Sequence, residues 1–334
     1  MSNDEGPQGL PAPPPLGESA LPGLPGLPPP LGESALPGLP EPPGLPAPPP
    51  LGESALPAGA FDGTAVLITG AGTGLGKGIA VEFARLGASI VIASRKQENL
   101  DAGRAAIEGL GAPVETVVCD IRDPDSITSM VDAACAAFGL PAVCVNNAAA
   151  NFPVPSEDMS PNAWRTVVDI TLNGTFFVAR EFARRHLAAN TPASIINIGA
   201  SYAWTGGAGF AHSAAAKAGV KNMVESLAVE WGPYGIQVNG LVPGLIPHED
   251  MTADIAANLQ RADPEKDLLQ PAMRVGTRRE FGWAATFLAS PYARFISGHT
   301  LVVDGANWQR RFMTNPTVVP IRQQLNRGPF NRDP

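Results

Sequence analysis

The stretch Val66-Leu-Ile-Thr-Gly-Ala-Gly-Thr-Gly-Leu-Gly-Lys-Gly78 opens on an apolar run and breaks into a glycine-rich turn. Beyond it, Ile79, Val81, Phe83, Ala84 and Leu86 place a mostly apolar face on a helix. Strand, turn and helix start together make a phosphate cradle. Glycines let the backbone approach a pyrophosphate, and the helix start supplies N–H groups and a partial positive charge. Taken alone, the run reads equally well as an ordinary strand-to-helix turn. The pattern downstream separates the two readings.

The chain has 334 residues and a formal charge of −8, with no basic run that would suit nucleic acid. Six of its acids, Asp4, Glu5, Glu18, Glu33, Glu41 and Glu53, lie in residues 1–60, which hold no Lys or Arg. Cys119, Cys135 and Cys144 are too scattered for a disulfide frame or a zinc site. They fall in apolar segments, as buried thiols of a reducing compartment do. No apolar run is long enough to span a membrane. The N-terminus lacks the basic and apolar regions of a secretion signal, so a cytoplasmic location is expected.

Nineteen of the 36 prolines precede residue 61. The decapeptide Pro-Pro-Pro-Leu-Gly-Glu-Ser-Ala-Leu-Pro occurs three times, beginning at Pro13, Pro28 and Pro48. Proline fixes φ and removes N–H donors, glycine adds backbone entropy, and aromatic residues are absent until Phe61. Residues 1–60 therefore read as a disordered, partly polyproline II tail. A tether explains it; a docking arm for a proline-reading partner is the alternative.

From residue 61 onward, strand-like runs at 65–69, 89–93, 114–119, 142–146, 194–198, 237–242 and 300–303 alternate with helical patterns. The helices fall at 74–87, 96–109, 125–138, 161–188, 212–232 and 278–289, with Asp123-Pro124 and Ser160-Pro161 as start signals. This alternation predicts an α/β fold: one doubly wound parallel sheet of about seven strands with helices on both faces. Ligands then bind beyond the carboxyl ends of the strands. After the second strand stands Ser94-Arg95, where a guanidinium suits a 2′-phosphate and so favours NADPH over NADH. Asp120, after the third, can accept from an adenine amine, and the small residues of Asn146-Asn147-Ala148 let a cofactor pass close.

The turn Thr69-Gly70-x-x-x-Gly74-x-Gly76, the Asn146-Asn147-Ala148 run and the Pro243-Gly244 pair resemble the short-chain dehydrogenase/reductase family across nearly all of residues 61–310. The resemblance implies a single Rossmann-type domain, often tetrameric. It places cofactor contacts at Gly70, Thr73, Gly74, Leu75, Gly76, Ser94, Arg95, Asp120, Asn147, Lys217, Pro243, Gly244 and Ile246. The family's usual centre is a tyrosine four residues before a lysine. Here the lysine is Lys217, but position 213 is serine, and Thr171 stands where an asparagine is usual.

Tyr202, fifteen residues before Lys217, offers a displaced tyrosine. Tyr202, Asn173 in Leu-Asn-Gly-Thr, and Ser213 with Lys217 are similar to the catalytic set of one branch, the 2,4-dienoyl-CoA reductases. So are Gly72-Thr-Gly-Leu-Gly-Lys-Gly78, Asn146-Asn-Ala-Ala-Ala-Asn-Phe152 and Glu230-Trp-Gly-Pro-Tyr-Gly235. The branch implies an acyl-CoA substrate, with Arg122, Phe152 and Ser160 at its entrance and a substrate lid over residues 245–275. His186, His212, His248 and His299 form no metal spacing, so no metal is expected. The expected activity is hydride transfer from NADPH to an unsaturated acyl-CoA, auxiliary to fatty-acid β-oxidation. The alternatives are a conventional carbonyl or 3-oxoacyl reductase, and a non-catalytic NADP-binding protein that docks partners through its tail. Residues 311–334 read as a C-terminal extension.

Overall fold

The structure, a computed structural model, describes residues 48–50, 54, 56–248 and 271–309. Most of the tail, the middle of the expected lid and the C-terminal extension lie outside the described residues. The strands are β1 Ala65–Thr69, β2 Ser89–Ser94, β3 Val114–Val118, β4 Val143–Asn146, β5 Ala193–Ile198, β6 Ile236–Pro243 and β7 Thr300–Val303. They pair in parallel in the order β3-β2-β1-β4-β5-β6-β7. Chain order reverses between β1 and β4, which makes that seam the switch point where a ligand crevice opens.

Near-continuous apolar strands demand cover on both faces. Side chains alternate accordingly. Val66, Ile68, Ile90 and Ile92 point to one face, where α1 (Gly74–Arg85), α2 (Gln97–Glu108) and α8 (Arg278–Ala289) supply Ile79, Phe83, Leu100, Phe281 and Leu288. Leu67, Val91 and Cys144 point to the other, against Met130 of α3 (Pro124–Phe138), Phe182 of α5 (Gly174–Ala189) and Val224 of α7 (Ala211–Trp231). Each such buried side chain contributes about 1.5–3 kcal/mol.

The expected helix starts are present: Asp123 accepts from the Asp125 N–H, and Ser160 from the Ala163 N–H. The expected helix over 161–188 is divided. It runs as α4 (Pro161–Val168), a π-helical segment (Asp169–Asn173) and α5. Periodicity cannot register that insertion, within which Thr171 bonds to the backbone of Ala150.

Packing also begins before residue 61. Leu56 is only 7 % exposed and joins the core cluster of Phe61 and Phe83. The Phe61 N–H donates to the Leu86 carbonyl at 2.9 Å, and its ring meets Phe83 edge-on at 4.9 Å. The last residues of the stretch read as tail thus belong to the packed unit, since Leu56 and Phe61 supply the aliphatic and aromatic surface that the earlier residues lack. Leu56→Ala should therefore lower unfolding free energy by about 2 kcal/mol or more in a urea titration. An unchanged midpoint would show that Leu56 does not pack.

Candidate active site

The cradle is closed by hydrogen bonds between the ends of β1 and β4. Thr69 Oγ1 accepts from the N–H groups of Asn147 and Ala148, both at 3.1 Å. Asn147 Nδ2 donates back to the carbonyls of Thr69 at 3.1 Å and Gly70 at 3.0 Å. Gly70 sits at φ +66°, and a Cβ on Gly76 would stand 2.4 Å from Asn147 Nδ2, so only glycine fits there. Thr73 makes no side-chain cap, and the first turn of α1 carries no acid. The helix start keeps its positive potential toward the crevice. These residues fit a dinucleotide pyrophosphate.

On the adenosine side, Arg95 is exposed at the end of β2 and no acid stands beside it in sequence. Ser94 Oγ accepts from the Lys96 N–H at 3.4 Å. Asp120 and Arg122, which the sequence assigns to different ligands, bind each other: Arg122 Nε is 3.0 Å from both carboxylate oxygens and Nη2 is 2.5 Å from one. The Arg122 hydrogen bond holds the Asp120 carboxyl below its usual range. The carboxylate retains acceptor capacity for a ligand. Pro243 ends β6, Gly244 donates to the Val303 carbonyl at 2.9 Å, and Ile246 is buried.

The displaced tyrosine meets the serine that stands in the usual tyrosine's place. Tyr202 begins the short helix α6 (Tyr202–Thr205), and its hydroxyl lies 3.0 Å from Ser213 Oγ. Its ring stacks on Phe210, with centroids 6.2 Å apart. Trp204 stacks on Trp308 at 5.2 Å, with Lys221 Nζ 5.9 Å from its centroid, which pins α6. Burial raises the Tyr202 pKa, while the Ser213 hydrogen bond opposes it. Tyr202 is thus a neutral O–H donor near pH 7.

One turn along α7, Lys217 is 6 % exposed and donates to the Ile198 carbonyl at 2.5 Å. Burial pushes its pKa down to about 8. Asn173 closes the π segment and donates through Nδ2 to Asp169 Oδ1 at 2.8 Å. An amide nitrogen has two hydrogens, so one remains for a ligand. Thr171, at the family's usual asparagine position, holds the loop after β4 instead. Its hydroxyl accepts from the Ala150 N–H at 3.2 Å and donates to the Ala150 carbonyl at 3.3 Å.

Of the expected entrance residues, Phe152 is 39 % exposed and meets His212 edge-on at 4.8 Å. Ser160 uses its oxygen to cap α4, an anchoring role that the sequence also signals. Two neighbours were not singled out from sequence. Asn151 Nδ2 donates to the Tyr202 hydroxyl at 3.3 Å. The imidazole of His248 lies over the cradle, where a Cβ on Gly74 would be 3.1 Å from its Cε1. Nothing local marks either contact, since each joins segments about fifty or more residues apart. Among the described residues, no group of three His, Cys, Asp or Glu could hold a metal. A cleft of about 530 Å³, lined by Asp62, Arg85, Gly87 and Pro113, lies at the amino ends of the strands, remote from this chemistry.

Residues 70–306 match a family model described as Enoyl-(Acyl carrier protein) reductase. A Bacillus subtilis protein named probable 2,4-dienoyl-CoA reductase is 38% identical over 245 residues, covering 73% of this chain and 96% of its own. The rat peroxisomal 2,4-dienoyl-CoA reductase is 38% identical over 246 residues, covering 72% and 82%. A Bacillus anthracis short chain dehydrogenase of known structure superposes with a TM-score of 0.68 at 37% identity, covering 77% of this chain and all (100%) of that one. Similar sequence over almost the whole described domain, and the same fold, agree with a cradle that fits a nicotinamide dinucleotide. The chain belongs to the short-chain dehydrogenase/reductase family of oxidoreductases and resembles its 2,4-dienoyl-CoA reductase branch.

Proposed function

We propose that the chain is an NADPH-dependent 2,4-dienoyl-CoA reductase serving fatty-acid β-oxidation. The observation that carries the reading is the hydrogen bond between Tyr202 and Ser213, one helical turn from the buried Lys217. A tyrosine placed there, with serine at position 213, suits stabilising an oxyanion. A nicotinamide dinucleotide held by the glycine cradle and Lys217 would supply hydride at the far carbon, C5, of the conjugated thioester. Negative charge then moves through the diene to the thioester oxygen, giving a dienolate. Tyr202 O–H and the second N–H of Asn173 donate to that oxygen as the charge grows. Ser213 and Asn151 hold the phenol in orientation, and Lys217 keeps the potential positive and binds the ribose.

Protonation of the dienolate at C2, by water held in the site, leaves a 3-enoyl-CoA; protonation at C4 would leave a 2-enoyl-CoA. The names of the rat and one Caenorhabditis elegans relative specify the (3E) product, and that of the Bacillus subtilis relative the (2E) product. We assign the 3-enoyl product. Arg95 supports NADPH, because an exposed guanidinium pairs with a 2′-phosphate. A homotetramer fits the family and the exposed Tyr292 and Phe295.

Mixing the protein with NADPH and a 2,4-dienoyl-CoA should abolish the dienoyl absorbance in step with NADPH consumption, and NMR of the product should show a 3,4 double bond. Activity confined to ketones would establish the carbonyl reductase instead. Tyr202→Phe should lower kcat by about 100-fold or more, as loss of an oxyanion donor does, while NADPH binding is retained. An unchanged kcat would remove Tyr202 from the mechanism.

Arg95→Ala should weaken NADPH binding by about ten-fold or more and leave NADH nearly unaffected, because only the charged hydrogen bond to the 2′-phosphate is lost. Equal losses would favour NADH.

Lys217 adds a pH dependence of definite sign. Its folded pKa lies below its ordinary value of 10.5, so stability rises with pH between about 8 and 10.5, whereas the ammonium needed for binding is lost over the same range. In the free enzyme, kcat/KM for NADPH should fall as pH rises through about 8, and Lys217→Met should remove that inflection.

A further inference from the structure

The third copy of the decapeptide meets α8 through its prolines. Arg279 Nη1 donates to the Pro49 carbonyl at 3.3 Å, and Nη2 to the Pro50 carbonyl at 2.8 Å. The guanidinium lies 4.8 Å from the Trp283 ring centroid, and its Nε is 3.6 Å from the buried carboxylate of Glu82. Further along the same copy, Leu56 enters the core and its N–H donates to Ser54 Oγ at 3.2 Å.

The chemistry of the contact is specific to a proline run. Proline has no N–H, so such a run presents acceptors alone, and arginine presents donors alone. An extended proline run also leaves its carbonyls without internal partners. Aromatic faces receive such runs at low entropic cost because they are already extended. Glu82 and Trp283 hold the guanidinium from behind and from the side, so its fork faces outward to two successive carbonyls.

Every contact named here uses a feature of the decapeptide: its second and third prolines, its serine and its second leucine. The same ten residues recur from Pro13 and from Pro28. We propose that the Arg279–Trp283 face of α8, with the slot that Leu56 fills, is a receptor for this decapeptide, and that its other occupant is a repeat from a second copy of the chain. The tail then links molecules by exchange of identical segments, and free decapeptide competes for the same face.

The repeats carry their own control. A glutamate-specific endoproteinase meets the same Gly-Glu-Ser-Ala sequence at Glu18, Glu33 and Glu53. In the full chain, cleavage after Glu53, which lies between the two anchors, should be about ten-fold slower than after Glu18 or Glu33, because cutting follows the undocked fraction. Synthetic PPPLGESALP at millimolar concentration should raise the Glu53 rate; the same peptide with aspartate for its second leucine should not. Arg279→Lys, which keeps a charge beside Glu82 but loses the fork, should raise the Glu53 rate several-fold toward the other two while the melting temperature stays within a few degrees.

Sedimentation of the full chain should show concentration-dependent association that the free decapeptide reverses. Equal cleavage at all three glutamates in the native chain would overturn the proposal. So would a Glu53 rate indifferent to both peptide and Arg279→Lys. Association that the decapeptide leaves unchanged would overturn the exchange between chains.

Discussion

Thr69 and Asn147 bond to each other across the point where the sheet reverses its chain order, and the rest of the site depends on that seam. Neighbouring parallel strands leave unpaired backbone groups at their carboxyl ends. Here one threonine hydroxyl and one asparagine amide bond those groups together. The crevice gains a rigid floor, and the glycines of the turn gain a fixed surface against which to approach. With the floor set, the helix start above it carries positive potential into a space shaped for a pyrophosphate.

The candidate reacting groups are distributed around that floor on separate elements. Ser213 and Lys217 share one face of α7, Tyr202 arrives from the short helix after β5, and Asn173 closes a π turn inside a long helical run. Within that π turn, the Thr171 hydroxyl is held by the backbone of Ala150. A phenol kept neutral by burial suits donation to an oxygen that becomes charged. The buried ammonium of Lys217 has one carbonyl for company, so its charge is costly alone and is favoured once a ligand with phosphates lies nearby.

The fold was legible because its physics is local and repetitive. Apolar runs of strand length, separated by helical periods, admit few arrangements besides a parallel sheet covered on both faces, and all seven expected strands form with ends shifted by a residue or so. The glycine turn, Arg95 and Tyr202 could be picked out as candidates because each follows a strand, where ligands of such sheets bind. Asn151 and His248 were not, since their contacts join distant segments with no periodic signature. Nor was the mutual pairing of Asp120 and Arg122, two residues that a linear reading assigns to different ligands. The start of the packed unit was misplaced by a few residues, because proline and glycine around Leu56 hide an aliphatic side chain that the core accepts.

By itself, the sequence determined the parallel α/β sheet, the cradle at 66–78 and the absence of tyrosine at position 213, because these depend on residue type and spacing alone. Tertiary structure alone decided that the displaced Tyr202 meets Ser213, that Thr171 holds the loop after β4, and that a proline run rests on Arg279. Hydrogen bonds between segments far apart in the chain require the fold to bring donors and acceptors within about 3 Å. No local propensity encodes that distance.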